Sequence, residues 1–400
     1  MLAIDTETTG LFIHKGCRAF TITATCDQFK NYLWRFPVDP FTRNVIYSKP
    51  KLEHFFDTVA KHEELVFHNA NFDIQVLDAL GLSIETLFSN HDIHDTMVMS
   101  HAYKANNPHG LKQLGVMLLG MPEDDEAELA KHTIAAQHVA RKLKWAVADK
   151  HKPHPSLLGT QKEWYKTDYW IPKEVAERTK LPQDHPWHTV CDTYATKDTE
   201  RTLGIYLIFQ ELMADDQVKA YNKARRLIKP ILNMQNEGVT LLTKDLYKAT
   251  TDYRKKAVTQ LQKLRNISGR KQFNPNSPKQ LGDVLFNQYK FKTNIIGKSG
   301  NPSANKEVIS QLLSDAPTEG KLPDRYRFLL ELKTQRKTKT TLQYIENYVN
   351  HRIHDNVLIP FFKQWATGTG RLSCENPNTT NVGKDDMNNP YSAKETGITG

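Results

Sequence analysis

Leu2-Ala3-Ile4-Asp5-Thr6-Glu7-Thr8-Thr9-Gly10 opens the chain. A short apolar run meets two carboxylates and then a Thr-Thr-Gly turn. Side chains two apart on a strand share a face, so Asp5 and Glu7 would project together from the strand's end. Ala19-Phe20-Thr21-Ile22-Thr23-Ala24-Thr25 is rich in β formers, and Tyr32-Leu33-Trp34-Arg35-Phe36 reads as a third strand. Phe55 to Ala60 reads as a helix. Glu64-Leu65-Val66-Phe67-His68 reads as a strand that runs into Asn69-Ala70-Asn71. Phe72 to Leu80 then carries apolar residues at helical spacing and stops at Gly81. Strands that deliver their ends to helix starts make an α/β pattern.

Two further pairs stand four residues apart. Asn69 and Asp73 share a face at a helix start, and Tyr194 and Asp198 share one on a helix predicted from Thr193 to Met213. Taken singly, each pair is ordinary. A first-turn acid suits any helix dipole, and a Tyr-Asp pair suits any amphipathic helix. Their order is less ordinary: a strand D-x-E, a strand-to-helix N-x-x-x-D, then a helical Y-x-x-x-D. This set resembles the DnaQ-like 3′–5′ exonucleases, in the subclass with a tyrosine before the last acid. The histidine subclass places its base five before that acid, where this chain has Thr193. Asp95-Thr96 also fits the Asp-Thr these folds carry before a helix.

The resemblance implies an RNase H-like α/β domain, with a mixed sheet and flanking helices, over residues 1–212. It implies two divalent ions, Mg²⁺ or Mn²⁺, held by oxygen ligands. Asp5 would bridge both, Glu7 and Asp198 would hold the one that activates water, and Asp73 would help hold the other. Tyr194 would orient the water. With an ordinary pKa of ~10, a tyrosine is a poor base at neutral pH. Thr6 and Asn69, inside the same motifs, would touch the single-stranded 3′ end.

The charge is unevenly spread. Residues 1–210 hold 23 Lys and Arg against 27 Asp and Glu, whereas residues 211–400 hold 31 against 18. A basic second half is the electrostatic footprint of a polyanion partner. It reads as mostly helical: a helix from about Val218 to Asn236, basic helical segments around Arg254-Lys255-Lys256 and Lys263-Leu264-Arg265, and a helix from Tyr326 to Asn350. Ser277-Pro278-Lys279-Gln280 is a helix start with cap, Pro at the first position and Gln at the capping-box spacing. Lys292 to Ser303 reads as a loop.

Residues from about 215 to 384 resemble the N-terminal part of a family A (Pol I-like) DNA polymerase domain. Leu227 to Val239 looks like the helix opening the palm. Asn274 to Gly282 looks like a thumb helix start. Thr367-Gly368-Thr369-Gly370-Arg371-Leu372-Ser373-Cys374 matches the T-x-T-G-R-L-S-S segment ahead of the catalytic palm, with Cys374 for the second serine. The implied architecture over 213–400 is a mostly α-helical thumb with a partial α+β palm. The implied partner is a DNA primer–template. Lys279, Lys333, Arg336 and Lys337 would contact its phosphates, and Arg371, Asn378 and Asn381 its primer end. The usual Pro-Asn-Leu-Gln-Asn is here Pro377-Asn378-Thr379-Thr380-Asn381. The family's two palm aspartates have no counterpart up to Gly400. Asp385-Asp386 lacks a strand pattern, and the fingers that bind incoming nucleotide are not recognisable. A second, complementary C-terminal chain is therefore an expected partner. Opening directly on the exonuclease strand resembles the polymerases of bacteriophages, which would place the protein in the cytoplasm of a bacterial host.

Other classes fit less well. No apolar run approaches the ~18 residues of a spanning helix. Met1 to Asp5 reaches an acid too soon for a secretory signal. Cys17, Cys26, Cys191 and Cys374 form no C-x-x-C pair, which fits a reducing cytosol. Glu123-Asp124-Asp125-Glu126 reads as a solvated acidic face, and Lys150 to Pro155 as a loop. Two alternatives to the proofreading-polymerase reading remain: a free-standing exonuclease with a DNA-gripping appendage, and a non-catalytic duplex-binding module. The intact acid set speaks against the second.

Overall fold

The computed structural model describes residues 1–148, 166–297, 300–351 and 356–380. The Lys150–Pro155 loop, Asn381 and Asp385-Asp386 lie outside the described residues. Packing divides the described residues into two compact units, residues 1–238 with 359–376, and 239–358 with 377–380.

The first unit is built on five strands: β1 (Leu2–Thr8), β2 (Ala19–Cys26), β3 (Asn31–Arg35), β4 (Glu64–Phe67) and β5 (Asp92–Asp95). They lie in the order β3-β2-β1-β4-β5. β1 and β3 run antiparallel to β2, while β4 runs parallel to β1 and β5, so the sheet is mixed as expected. β1 is the central strand, and its alternation sets the site. Leu2 and Ile4 enter a core with Phe55, Phe67 and Ile74 on one face. Ala3 enters another core with Leu203, Tyr206 and Phe209 on the other. Asp5 and Glu7 continue the Ala3 face.

The helices of this unit are α1 (Lys49–Val59), α2 (Ala70–Asp78), α3 (Ile84–Asn90), α4 (Thr96–Tyr103), α5 (Leu111–Leu114), α6 (Asp125–Lys142), α7 (Ile171–Arg178), α8 (Val190–Leu212), α9 (Asp215–Arg225) and α10 (Ile228–Glu237). Three differ from the sequence reading. α1 starts well before Phe55, with a proline in its first turn. The helix expected over 218–236 is two. Tyr221 packs with Val98 and Tyr206, whereas Ile228 and Leu232 pack with Phe67 and Ile74. Those cores lie on opposite faces of the sheet, so the chain must turn between α9 and α10. Finally, α6 begins inside the run expected to be a solvated acidic face. Glu123 and Asp124 are exposed, but Asp125 is drawn into ion pairs.

The second unit is mostly helical. It holds β6 (Val239–Thr240), α11 (Thr243–Ser268), α12 (Pro278–Gly282), α13 (Lys306–Ser314), α14 (Asp324–His351) and β7 (Val357–Leu358), with β6 and β7 antiparallel. One core gathers Leu264, Phe273, Leu281, Leu285, Phe328 and Leu332; another gathers Leu246, Tyr253, Ile345, Tyr348 and Leu358. The start of α12 is capped as the sequence indicates, with the Ser277 hydroxyl accepting from the Gln280 N–H at 3.3 Å. The reciprocal bond differs: Gln280 Oε1 accepts from the N–H of Asn274, 2.8 Å away, rather than from the cap residue.

The last strands, β8 (Phe361–Lys363) and β9 (Ser373–Glu375), form an antiparallel hairpin that belongs to the first unit. Asn71 Nδ2 donates to the Phe362 carbonyl at 3.4 Å, the Phe362 N–H donates to Gln235 Oε1 at 3.0 Å, and Gln364 Nε2 donates to the Ala224 carbonyl at 2.8 Å. A division at 212/213 follows the motifs, whereas packing adds α9, α10 and this hairpin to the first unit. Among the described residues no helix is long and apolar enough to cross a membrane.

Candidate active site

The site forms where α8 crosses the Asp5–Glu7 face of β1. Two hydroxyls of β2 fix that crossing. Thr23 Oγ1 donates to the Ala195 carbonyl at 3.0 Å, and Thr25 Oγ1 lies 2.7 Å from Thr199 Oγ1. Ala195 is fully buried, and its small side chain lets the helix approach the strand closely. One turn further along, Asp198 meets the strand acids. Ligand oxygens of Asp5, Glu7 and Asp198 all lie within 4.8 Å of one another.

Asp73 arrives from the other neighbour of β1. β4 runs into α2, and Asn69 makes the junction in the left-handed region (φ 73°, ψ 54°), which asparagine tolerates better than most residues. Asp95 at the end of β5 holds this junction. Its Oδ1 accepts from the N–H groups of Asn69 (3.2 Å), Met97 (2.8 Å) and Val98 (3.3 Å), and its Oδ2 from that of Ala70 (2.8 Å). One buried carboxylate thus serves the starts of both α2 and α4. Asp73, only 3% exposed, accepts at Oδ1 from both the N–H (3.1 Å) and the hydroxyl (2.7 Å) of Thr6. The Thr6 side chain, expected at a 3′ end, is therefore committed to Asp73.

Electrostatics mark the cluster as starved of cations. Burial pushes the Asp5 carboxyl well above its usual range, and Asp73, Glu7 and Asp198 add repulsion. Burial and the Asp198 charge push Glu7 up to about 8. Burial takes Asp73 to about 7, against the lowering effect of the Thr6 hydrogen bonds. Asp198 is raised by burial even though Lys112 and Arg201 oppose it. Four acids that resist ionising together, Asp73 and Asp198 buried and Asp5 and Glu7 half-buried, suit an external hard cation: the donor set is all oxygen. Tyr194 is half-buried one turn before Asp198, and burial with the neighbouring acids drives its hydroxyl pKa up, away from any role as a neutral-pH base.

Three residues at the site are not expected from the sequence. Lys112 on α5 ion-pairs with Asp198, and its Nζ stands 4.1 Å from the centre of the Tyr194 ring. Arg201 Nη1 lies 2.8 Å from Asp198 Oδ1 and 2.6 Å from Asp125 Oδ2. Arg201 follows Asp198 by three on a helix, a spacing that signals their pairing. Nothing in the sequence points to Lys112 or Asp125.

The other expected contacts fall elsewhere. Asn69 is half-buried at the start of α2. Lys279 is exposed on α12, and Lys333 and Lys337 are exposed on α14. Arg336, half-buried, donates from Nη1 to the Ala304 carbonyl at 2.8 Å. With Lys306, Ile309, Ser310 and Thr340, the cations of α14 line a cavity of about 590 Å³ between α13 and α14. Arg371 is exposed in the β8–β9 turn, where Gly370 takes φ +70° and Thr367 Oγ1 donates to the Arg371 carbonyl at 2.7 Å. The Asn378 carbonyl accepts from the Tyr348 hydroxyl at 3.1 Å, and its Oδ1 accepts from Thr380 Oγ1 at 3.0 Å.

Known proteins bear on both units. Residues 1–151 match the 3′–5′ exonuclease family model, and residues 243–394 match that of DNA polymerase family A. DNA polymerase I of Rhizobium leguminosarum is 28% identical over 196 residues, covering 47% of this chain and 18% of the relative. DNA polymerase DpoZ of Vibrio phage phiVC8 is 26% identical over 206 residues, covering 46% and 29%. DNA polymerase I of Chloroflexus aurantiacus is 25% identical over 325 residues, covering 79% and 28%. The chain spans less than a third of the length of each of these relatives. The POL domain of Pol1 from M. smegmatis, solved with DNA primer-template and dNTP, aligns over 96% of this chain and 52% of its own. Its TM-score is 0.54 at 15% identity, a likeness of fold. The Tyr194–Asp198 pair lies beyond the exonuclease match, yet α8 brings it to Asp5 and Glu7. The chain thus matches a 3′–5′ exonuclease domain at its start and part of a family A DNA polymerase domain after it, and DNA polymerases are among the proteins it is similar to.

Proposed function

We propose that the first unit removes nucleotides from the 3′ ends of DNA, and that the second grips primer–template duplex. The observation that carries this reading is the meeting of Asp5, Glu7 and Asp198 within 4.8 Å, with Tyr194 one turn before Asp198. Divalent ions, Mg²⁺ or Mn²⁺, would supply an activated water and shield charge on the leaving oxygen. Asp5 would help hold both ions. Glu7 and Asp198 would hold the ion on the water side, and Asp73 would hold the other with Thr6 fixing its orientation. Tyr194 would aim the water through its hydroxyl, which keeps its proton. Thr6, bonded to Asp73 through its N–H and hydroxyl, and Asn69, at the start of α2, would lie beside the terminal nucleotide.

In the second unit, Lys279, Lys333, Arg336 and Lys337 would contact phosphates without reading sequence. Arg371, Asn378 and Asn381 would serve the primer end. The domain division that follows from this reading is 1–212 for hydrolysis and 213–400 for the opening of the polymerase domain. The nucleotide-adding carboxylates would come from a further C-terminal segment, in cis or as a second chain. The likeness to a phage polymerase supports a phage-type enzyme working in its host's cytoplasm.

Digestion of a 5′-labelled single strand tests the reading. With Mg²⁺ or Mn²⁺ the strand should shorten from its 3′ end and release mononucleotides. Asp5→Ala and Asp73→Ala should abolish this, and Tyr194→Phe should slow it by ~10²–10⁴-fold. A homogeneous preparation that leaves the strand intact with both ions would overturn it.

A further inference from the structure

Two cations close one side of the acid cluster, and the proposed hydrolysis uses neither. Lys112 and Arg201 both reach Oδ1 of Asp198. Both also reach Oδ2 of Asp125 on α6, Lys112 at 3.5 Å and Arg201 at 2.6 Å. The two carboxylates thus share two cations, but the cations are not equivalent. Arg201 is pinned: it is 1% exposed, and its Nη2 donates to the Pro122 carbonyl at 2.7 Å. Gly115 backs its stem so closely that an added Cβ would stand 3.1 Å from Arg201 Cδ. Lys112 has a flexible four-carbon stem and a 14% exposed side chain. Its ammonium faces the Tyr194 ring on one side and Asp125 on another.

We propose that Lys112 is a positioning residue that exchanges between Asp198 and Asp125, and that Asp125 thereby sets the ion affinity of the acid cluster. This rests on reading Asp5, Glu7 and Asp198 as an ion site. Without a divalent ion, Lys112 neutralises Asp198 and keeps the buried acids together. With Asp198 serving as an ion ligand, its carboxylate would be withdrawn from Lys112 and the ammonium would have to leave. Asp125, already within 3.5 Å of the Nζ, receives it with little movement. Arg201 stays in place throughout and keeps the two carboxylates aligned.

Titration calorimetry of the full chain with Mn²⁺ at pH 9 tests this, using Asp125→Asn, Lys112→Met and the double variant. Asp125→Asn traps Lys112 on Asp198 and should weaken Mn²⁺ binding by ~10-fold or more, the usual scale for a partner of a metal ligand. In the Lys112→Met background the same change should cost less than about 3-fold, because no lysine needs accommodation. Equal weakening in both backgrounds would mean Asp125 acts only through structure, and would overturn the proposal. Should Asp125→Asn fail to fold, Lys112→Met decides: it leaves the Arg201–Asp125 pair intact and should bind Mn²⁺ more tightly than the parent, whereas weaker binding refutes the exchange. Asp5→Ala is the control for the underlying reading. Parent Mn²⁺ binding that survives Asp5→Ala places the ion elsewhere and removes the ion-site reading itself, a result separate from any loss of coupling between Lys112 and Asp125.

Discussion

Raising the pH in the presence of a chelator should destabilise the first unit, and divalent ions should reverse the loss. Glu7 holds its proton up to about 8 in the folded chain, against an ordinary value of 4.5. Between those values the folded state binds more protons than the unfolded state, so stability falls as pH rises. Below about 4.5 both states keep the proton and no penalty is present. A tenfold change in a group's acidity is worth ~1.4 kcal/mol, so Glu7 alone sets an upper bound of roughly 5 kcal/mol by pH 8. Asp5 and Asp198 are raised by the same neighbourhood and are not independent additions.

For a domain of this size, ~2–4 °C of melting temperature accompanies each kcal/mol. The chelated chain should therefore melt on the order of 10 °C lower at pH 8 than at pH 5.5, followed by calorimetry or by tyrosine and tryptophan fluorescence. Mn²⁺ at about 100 times its Kd should return ~3 kcal/mol at pH 8 and far less at pH 5.5, where protons already occupy the acids. Glu7→Gln removes the titrating group and should flatten the chelated profile. A chelated melting temperature that is level or rises over this range, or a Glu7→Gln profile as steep as the parent's, would refute the account of the cluster as buried acids in want of a cation.

Two further outcomes are expected. Asp95→Ala leaves the N–H groups of Asn69, Ala70, Met97 and Val98 without their acceptor and should cost on the order of 3 kcal/mol or more in urea unfolding, with Asp95→Asn costing less because one acceptor oxygen remains. Residues 1–400 alone should bind primer–template without extending it, with an affinity that falls steeply with salt; Lys279→Ala and Lys333→Ala should each shallow the log–log salt slope by about one, and salt-insensitive binding would remove the duplex-gripping role.

The parts of the fold legible in the sequence are those where one local pattern suffices. β1 shows itself because apolar residues run up to Asp5, and α12 because Ser277 and Pro278 act within one turn. The break between α9 and α10 is hidden because nothing local distinguishes a helix serving one core from two helices serving two. Tyr221 and Ile228 both read as core-facing positions, and only the sheet between their cores forces the turn. The same limit governs the site. Asp5, Glu7, Asp73 and Asp198 are recognisable because their pairs, each ordinary alone, stand at strand and helix spacings in an order that resembles a known exonuclease family. Lys112 and Asp125 leave none. They come from separate helices, α5 and α6, and meet only because α8 carries Asp198 and Arg201 between them. In isolation Asp125 belongs to an acidic run of four, a pattern that ordinarily faces solvent. Its neighbours Glu123 and Asp124 do face solvent, and what separates Asp125 from them is the placement of Arg201, 76 residues away. Residues that hold ligands follow the geometry of their own element, whereas residues that balance the ligands' charge follow the packing of several, and that packing is written only in the folded chain.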